Sequence, residues 1–415
     1  MRPSWFVVAM GYGVVLPVPP FSLARMLEQP SNAAVAWHTG PLTGVYLLAL
    51  FVSAPVWGRI SDRLGRRKVL LFGLAGFSGA MLAFALLPGL EFAYGARALA
   101  GVFAAAVIPT VFALTGDRQA RSERAQTFAW LYAANALGFL SGPALSAGLV
   151  PNDPLSAAPT VAADTLAWPF YVVALLGESV WYGAFRGLPQ PRLRRSSAHA
   201  PRPATPSLPG LLALSLLVMF GLGSFEVAIA LQGRQVLNLG PREIGIMFAE
   251  CSLIMVLAQV FVLAPLIRRT GGRALLVPAL LAMTIGLVLL PFSVRYDALL
   301  LAVALIAGVT GLLIPALAYL VSLAAGAGQG ATFGLQTAVA SLGQGVGSVA
   351  AGWLFTLSVK APFWITAGLL EGSLDRALLA QAQALGVEVR FNSRMERIAG
   401  QGVLAVGPRA ADAAR

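Results

Sequence analysis

Apolar residues run through this chain in blocks of about 20, the length an α-helix needs to cross the hydrocarbon core of a bilayer. The first half gives blocks at 4–27, 40–58, 69–88, 91–115, 125–149 and 167–185, and the second gives 209–231, 242–266, 274–293, 297–322 and 331–356. A twelfth begins at 361 but meets Glu371 after ten residues, with Asp375 and Arg376 beyond. Between the two sets lies RGLPQPRLRRSSAHAPRPATPS (186–207), basic and proline-rich without apolar periodicity, as expected of a linker in water. The predicted fold is an all-α membrane protein: a six-helix half over 1–185, a cytoplasmic linker over 186–207, and a second half over 208–370 with five full helices and a shortened twelfth. Residues 371–415 read as a soluble tail of foreign character, with an amphipathic helix, a strand VEVRF and a glycine-bearing hairpin.

An internal repeat supports the division into halves. Gly138 and Gly142 recur as Gly343 and Gly347, and Thr127-Phe128 as Thr332-Phe333, at an offset of 205 residues. Ile108-Pro109 recurs as Ile314-Pro315, and Arg63 and Gly65 as Arg269 and Gly271, at 206, while Gly11-x-Gly13 returns slightly out of phase as Gly221-x-Gly223. One nearly constant offset across several helix pairs implies two six-helix units around a central site.

Charge then sets topology. Only 11% of residues are charged, against about a quarter in a soluble domain, and the net charge of +12 is spread between the spans instead of over one face, which speaks against nucleic acid. With the N-terminus inside, 17 basic residues fall on the cytoplasmic side, clustered at 59–68, 118–124, 186–202 and 268–273, against five outside. This positive-inside bias predicts a multi-pass inner-membrane protein with both termini cytoplasmic. Residues 4–24 open like a signal peptide, but Pro17, Pro19 and Pro20 and the lack of a small-residue cleavage site make them an uncleaved first helix. The lone Cys251 excludes an intrachain disulfide.

The loop after the second helix reads Gly58-Arg59-Ile60-Ser61-Asp62-Arg63-Leu64-Gly65-Arg66-Arg67-Lys68. Gly58 permits close helix approach, Gly65 a tight turn, and the cations hold the loop at the cytoplasmic face. This segment resembles the loop signature of the major facilitator superfamily. The resemblance implies a gating loop of Gly58, Asp62, Arg63, Gly65, Arg66 and Arg67, with Asp62 meeting the positive end of helix eleven in an outward-open state. Arg97, with Gly101 one turn on, resembles the family's arginine motif in helix four; an intramembrane arginine is a functional candidate unless it snorkels to the surface. Gly138, Gly142, Pro143 and Gly148 in helix five resemble the antiporter motif of drug exporters, although Ala147 stands where the full pattern has a glycine. Over residues 1 to about 370 the chain is similar to proton-driven multidrug and tetracycline exporters. It departs from many of them in having no acid in its first helix.

Proton coupling needs a titratable group, and desolvation eases protonation of a carboxylate. Of Glu91, Glu178, Glu226, Glu243 and Glu250, the pair Glu226 in helix seven and Glu250 in helix eight is preferred, because those helices line the cavity in the resembling family. Tyr12, Asn135, Gln259, Gln336 and Gln344 are candidates for hydrogen bonds to cargo. No Walker loop, metal-ligand spacing or nucleophile elbow is present. The expectation is a monomeric, proton-coupled antiporter exporting a small amphipathic compound, without cofactor or metal and not an enzyme. The alternatives are an importer, a sugar or metabolite efflux carrier, or a truncated or fused membrane protein that no longer transports. The tail, in LDRALLAQAQALGVEVRFNS, resembles a fragment of flavin-dependent oxidoreductases but lacks the dinucleotide fingerprint, so no flavin is expected.

Overall fold

A computed structural model describes residues 2–27, 31–87, 89–118, 121–150, 159–187, 208–263, 275–324, 329–384, 393–397 and 404–408. Most of the linker, the VEVRF stretch and the 264–274 loop lie outside the described residues. Asp62 is placed in the backbone, but its side chain lies outside them too.

The helices are α1 (Arg2–Val15), α2 (Pro19–Met26), α3 (Asn32–Leu64), α4 (Arg66–Leu86), α5 (Leu90–Arg118), α6 (Arg121–Leu149) and α7 (Pro159–Gly187) in the first half. The second half has α8 (Leu208–Gln235), α9 (Pro241–Leu257), α10 (Leu276–Leu289), α11 (Tyr296–Ala324), α12 (Gln329–Leu357) and α13 (Ala361–Ala384). A π-helical turn, Ala258–Leu263, prolongs α9, and a 3-10 turn, Leu290–Phe292, prolongs α10.

The boundaries differ from the apolar blocks in four places. The first block is not one helix but two, bent by 58°, because Pro17, Pro19 and Pro20 withdraw backbone donors that would carry the helix through. Helix α3 starts at Asn32 instead of residue 40: Ser31 accepts a hydrogen bond from the Ala34 amide (3.1 Å) and caps it, an interaction a hydropathy window cannot register. Helix α7 likewise begins at Pro159, upstream of 167. The shortened twelfth block and the amphipathic helix expected after Glu371 are joined in one helix, α13, which runs to Ala384. Leu370 is buried and Thr366 bonds Ser224 (2.8 Å), so its first part is packed on α8. In the tail, β1 (Ser393–Arg397) and β2 (Leu404–Pro408) pair antiparallel, placing the hairpin just beyond the strand expected from sequence.

The two halves repeat one packing scheme. Helix α1 packs on α6 as α8 packs on α12; α4 packs on α5 and α7 as α10 packs on α11 and α13; α3 on α5 matches α9 on α11. The repeated glycines explain the closeness. A side chain at Gly138 or Gly142 would collide with the backbone of α1, at Phe6 and at Met10 and Val14, while one at Gly343 or Gly347 would collide with the backbone of α8, at Leu216 and Phe220. Glycine lets these helix backbones touch.

The halves meet through α3 against α12 and α6 against α9. These contacts cluster at the end of the bundle away from the Gly58–Lys68 loop. There a Cβ on Gly40 would meet Gly352 N at 2.8 Å as well as Ser348 O, one on Gly44 would meet Gly345 O at 2.6 Å, and one on Gly245 would meet Ala147 at 2.9 Å. Trp37 stacks on Trp353 at 5.3 Å, and the Gln235 amide donates to Asn32 O at 2.8 Å. At the basic end of the same helices, Gly58 and Gly334 have nothing within 4 Å. Among the described residues, the halves are in close contact at the end away from the basic loop.

Candidate functional site

Five helices bring polar groups together near mid-depth. Tyr12 comes from α1, Tyr46 from α3, Arg97 from α5, Glu226 from α8 and Gln344 from α12. All five are buried, Arg97 completely. The Tyr12 hydroxyl donates to Glu226 Oε2 at 2.7 Å. The Gln344 amide reaches both carboxylate oxygens, Oε1 at 3.2 Å and Oε2 at 3.0 Å, and the Tyr12 hydroxyl at 3.0 Å. Ser348 fixes this part of α12 by donating to the Gln344 carbonyl at 2.9 Å and to Gly223 O at 3.3 Å. Glu226 and Gln344 belong to the second half and Tyr12 to the first, so one carboxylate holds the two halves together through neutral donors. Among the described residues no cation pairs with Glu226.

Aromatic contacts carry the cluster on into the first half. The Tyr12 ring lies 5.5 Å from that of Tyr46 and 6.0 Å from that of Phe139. The Arg97 guanidinium sits 4.6 Å from the Tyr46 ring centroid, within cation–π range. Gly101 makes this possible, because a side chain there would strike the Tyr46 carbonyl and push α3 away from α5. Arg97 Nε donates to Leu42 O at the long distance of 3.5 Å, and both Nη atoms are buried without a partner. Snorkelling is excluded, because no part of this side chain reaches the surface.

The other candidates fall elsewhere. Glu250 is half-buried on α9, its Oε2 without a hydrogen-bond partner among the described residues; the bonds that hold Glu226 come from Tyr12 and Gln344. Asn135, Gln259 and Gln336 are half-buried and belong to none of the bonds of this cluster. Glu91 and Glu178 are exposed, and Glu243 caps α9 by accepting from Gly240 N at 2.5 Å. In the gating loop, Gly65 has φ +91°, a left-handed turn between α3 and α4 that favours glycine. Arg67 donates through Nη2 to Phe185 O and lies 5.7 Å over that ring, tying α4 to the end of α7, while Arg63 is exposed. In the antiporter-like motif, Gly142 and Gly13 interlock, with a Cβ on Gly13 meeting Phe139 O at 2.8 Å and Pro143 Cδ at 3.0 Å. Gly148 has nothing within 4 Å. Sequence reasoning missed Tyr46 and Ser348, whose roles come from which faces of separate helices meet.

The model of the Major Facilitator Superfamily matches residues 4–232 and 211–370. The chain is 24% identical over 373 residues to the quinolone resistance protein NorA of Staphylococcus aureus, covering 88% of this chain and 91% of that one. It is 26% identical over 365 residues to multidrug resistance protein 2 of Bacillus subtilis, covering 86% and 88%. Among solved structures, the partially occluded inward-open form of the E. coli xylose transporter XylE aligns with a TM-score of 0.69 at 14% identity, over 92% of this chain and 97% of that one.

Proposed function

The chain belongs to the major facilitator superfamily, a family of membrane transporters, and we propose that it is a proton-coupled antiporter that exports small amphipathic compounds by alternating access. The observation that carries this reading is the clasp on Glu226, a buried carboxylate held by Tyr12 from one half and Gln344 from the other. A carboxylate at such a junction changes the energy of the junction when it gains or loses a proton. When charged, Glu226 accepts charge-assisted hydrogen bonds, about twice as strong as neutral ones, and favours the conformation in which α1 and α12 both reach it. When protonated it becomes a neutral group, the bonds weaken, and the halves can rock to the opposite arrangement.

The direction rests on the antiporter-like motif of α6 and on the family likeness. With the basic end at the cytoplasm, as the positive-inside rule argues, the Gly40–Gly352 seam closes the outer end, and we read the arrangement as inward-facing. A charged Glu226 then belongs to the inward-facing state, which has released its proton to the cytoplasm and is ready for cargo. After cargo has left, Glu226 takes up a proton from outside in the outward-facing state; the neutral group travels with the halves back to the inward-facing state, where it releases the proton to the cytoplasm and the clasp re-forms. Protons thus enter as cargo leaves, powered by the gradient without a cofactor. Export is supported by the drug-resistance names of the relatives at full-length coverage. A monomer in the inner membrane, with both termini cytoplasmic and halves at 1–185 and 208–370, is the arrangement this cycle needs.

The test is transport in proteoliposomes. An imposed proton gradient should drive uptake of amphipathic dyes, and Glu226→Gln, which keeps the shape but cannot ionise, should lose that drive while still allowing downhill counterflow. Gradient-driven uptake by Glu226→Gln at the wild-type rate would refute the proposal.

A further inference from the structure

Among the described residues, no carboxylate answers the charge of Arg97. Its Nε has a single distant carbonyl, its two Nη atoms are buried and unpartnered, and no carboxylate pairs with it among the described residues. An arginine kept for packing normally finds carbonyls or an acid to satisfy its fork of donors. Here Gly101 and the close approach of α3 hold the guanidinium against Tyr46 with its two terminal nitrogens free. Those nitrogens are the pair that grips a carboxylate end-on in bidentate fashion.

The surroundings say what else the partner carries. Tyr46, Tyr12 and Phe139 form a row of rings at 5.5 and 6.0 Å that leads from Arg97 to the Glu226 clasp. Among the described residues, the contacts that link Arg97 to that clasp are tyrosine side chains, which turn about χ1 without backbone movement. We infer that Arg97 anchors a carboxylate on the cargo once Tyr46 and Tyr12 turn aside, so that the preferred cargo is an aromatic acid or zwitterion. The flat part of such a molecule replaces the tyrosine rings as a stacking partner, and its acid group supplies the missing counter-charge. This rests on the transport reading of the same cluster.

The experiment compares pyrenebutyric acid with its methyl ester, which has the same ring system but no charge, as stabilisers of the full-length protein in detergent thermal-shift titrations. The acid should bind the wild type more tightly than the ester by about tenfold, the size of one charge-assisted contact. Arg97→Gln should abolish that preference, and Arg97→Lys, which keeps charge but loses the fork, should retain part of it. Micelle partitioning affects each probe equally across variants, so the ratio isolates the side chain. Equal affinity of the wild type for acid and ester overturns the inference, and this arm needs no variant to fold. So does an undiminished acid preference in Arg97→Gln. So does stabilisation by chloride against gluconate without acid preference, which would assign the site to an inorganic anion. Gradient-driven dye uptake by the wild type is measured separately: its absence would sink the antiport reading, whatever the binding ratios.

Discussion

Replacing Tyr12 by Phe removes one oxygen and leaves the ring. The stacking on Tyr46 and Phe139 stays, while Glu226 loses its 2.7 Å donor and Gln344 loses one acceptor. A hydrogen bond to a charged group contributes about 1.5–3 kcal/mol and a neutral one about 0.5–1.5 kcal/mol. With Glu226 charged, the inward-facing state should therefore lose about 1.5–3 kcal/mol relative to the state without the clasp, a shift of roughly 10- to 150-fold in their ratio. With Glu226 protonated the loss should shrink by about half, so the effect of the substitution itself depends on pH. The populations can be read from electron–electron distances between spin labels at Leu64 and Leu335, which are exposed near the basic ends of α3 and α12, in a Cys251→Ser background. The wild type should show the long, open-end distance mainly at high pH, and Tyr12→Phe should deplete it there and change it less at low pH. Distance distributions unchanged by the substitution across the pH range would mean that the Tyr12–Glu226 bond does not bias the halves, and the coupling argument would fail.

Three further outcomes follow from other parts of the fold. Gly40→Leu puts a side chain where Ser348 O and the Gly352 backbone already lie; it should hold the outer end open, seen as faster labelling of Trp37→Cys by an impermeant maleimide, and unaltered labelling would refute the seam. Thr366→Val removes the bond to Ser224 that seats α13 on α8 and should cost about 1 kcal/mol, read as a lower midpoint of thermal unfolding in detergent; an unchanged midpoint would show that contact to be idle. Truncation after residue 384 keeps all of α13 and removes the hairpin, so gradient-driven uptake should persist, and its loss would make the tail part of the working transporter.

The membrane passes were legible because bilayer thickness imposes a length on each apolar block, and the halves because glycines repeat where helices must touch. Both signals are local or periodic. The α1–α2 bend was visible as three prolines but not as a break, since a proline can also sit inside a continuous transmembrane helix. Helix beyond Glu371 was legible as amphipathic, but its continuity with the twelfth block was not, because charge argues against burial and not against helix. Arg97 stands only about two turns from its helix start, so snorkelling was a fair alternative; what excludes it is Gly101, which draws α3 over it. That Glu226 is the glutamate bonded to Tyr12 and Gln344 was illegible, since it depends on how α8 is rotated about its axis.

The repeat also shows how a symmetric scaffold comes to hold an asymmetric site. Gly13 lies against the Phe139 carbonyl in the first half, and Gly223 lies against the Gln344 carbonyl in the second. Phe139 and Gln344 are 205 residues apart, the same offset as the paired glycines, so they occupy equivalent places on α6 and α12. Both touch Tyr12, one by stacking and the other by a hydrogen bond. The backbone relation is therefore kept while the side chains diverge: the first half supplies rings and the buried cation at Arg97, whose counterparts are Ala302 and Val303, and the second supplies the amide and the carboxylate. A site charged equally in both halves would present the same surface to either and would give a proton no preferred junction to act on. Placing the clasped carboxylate in one half and its hydroxyl donor in the other makes the contact between halves, and not either half alone, the element that responds when Glu226 changes charge.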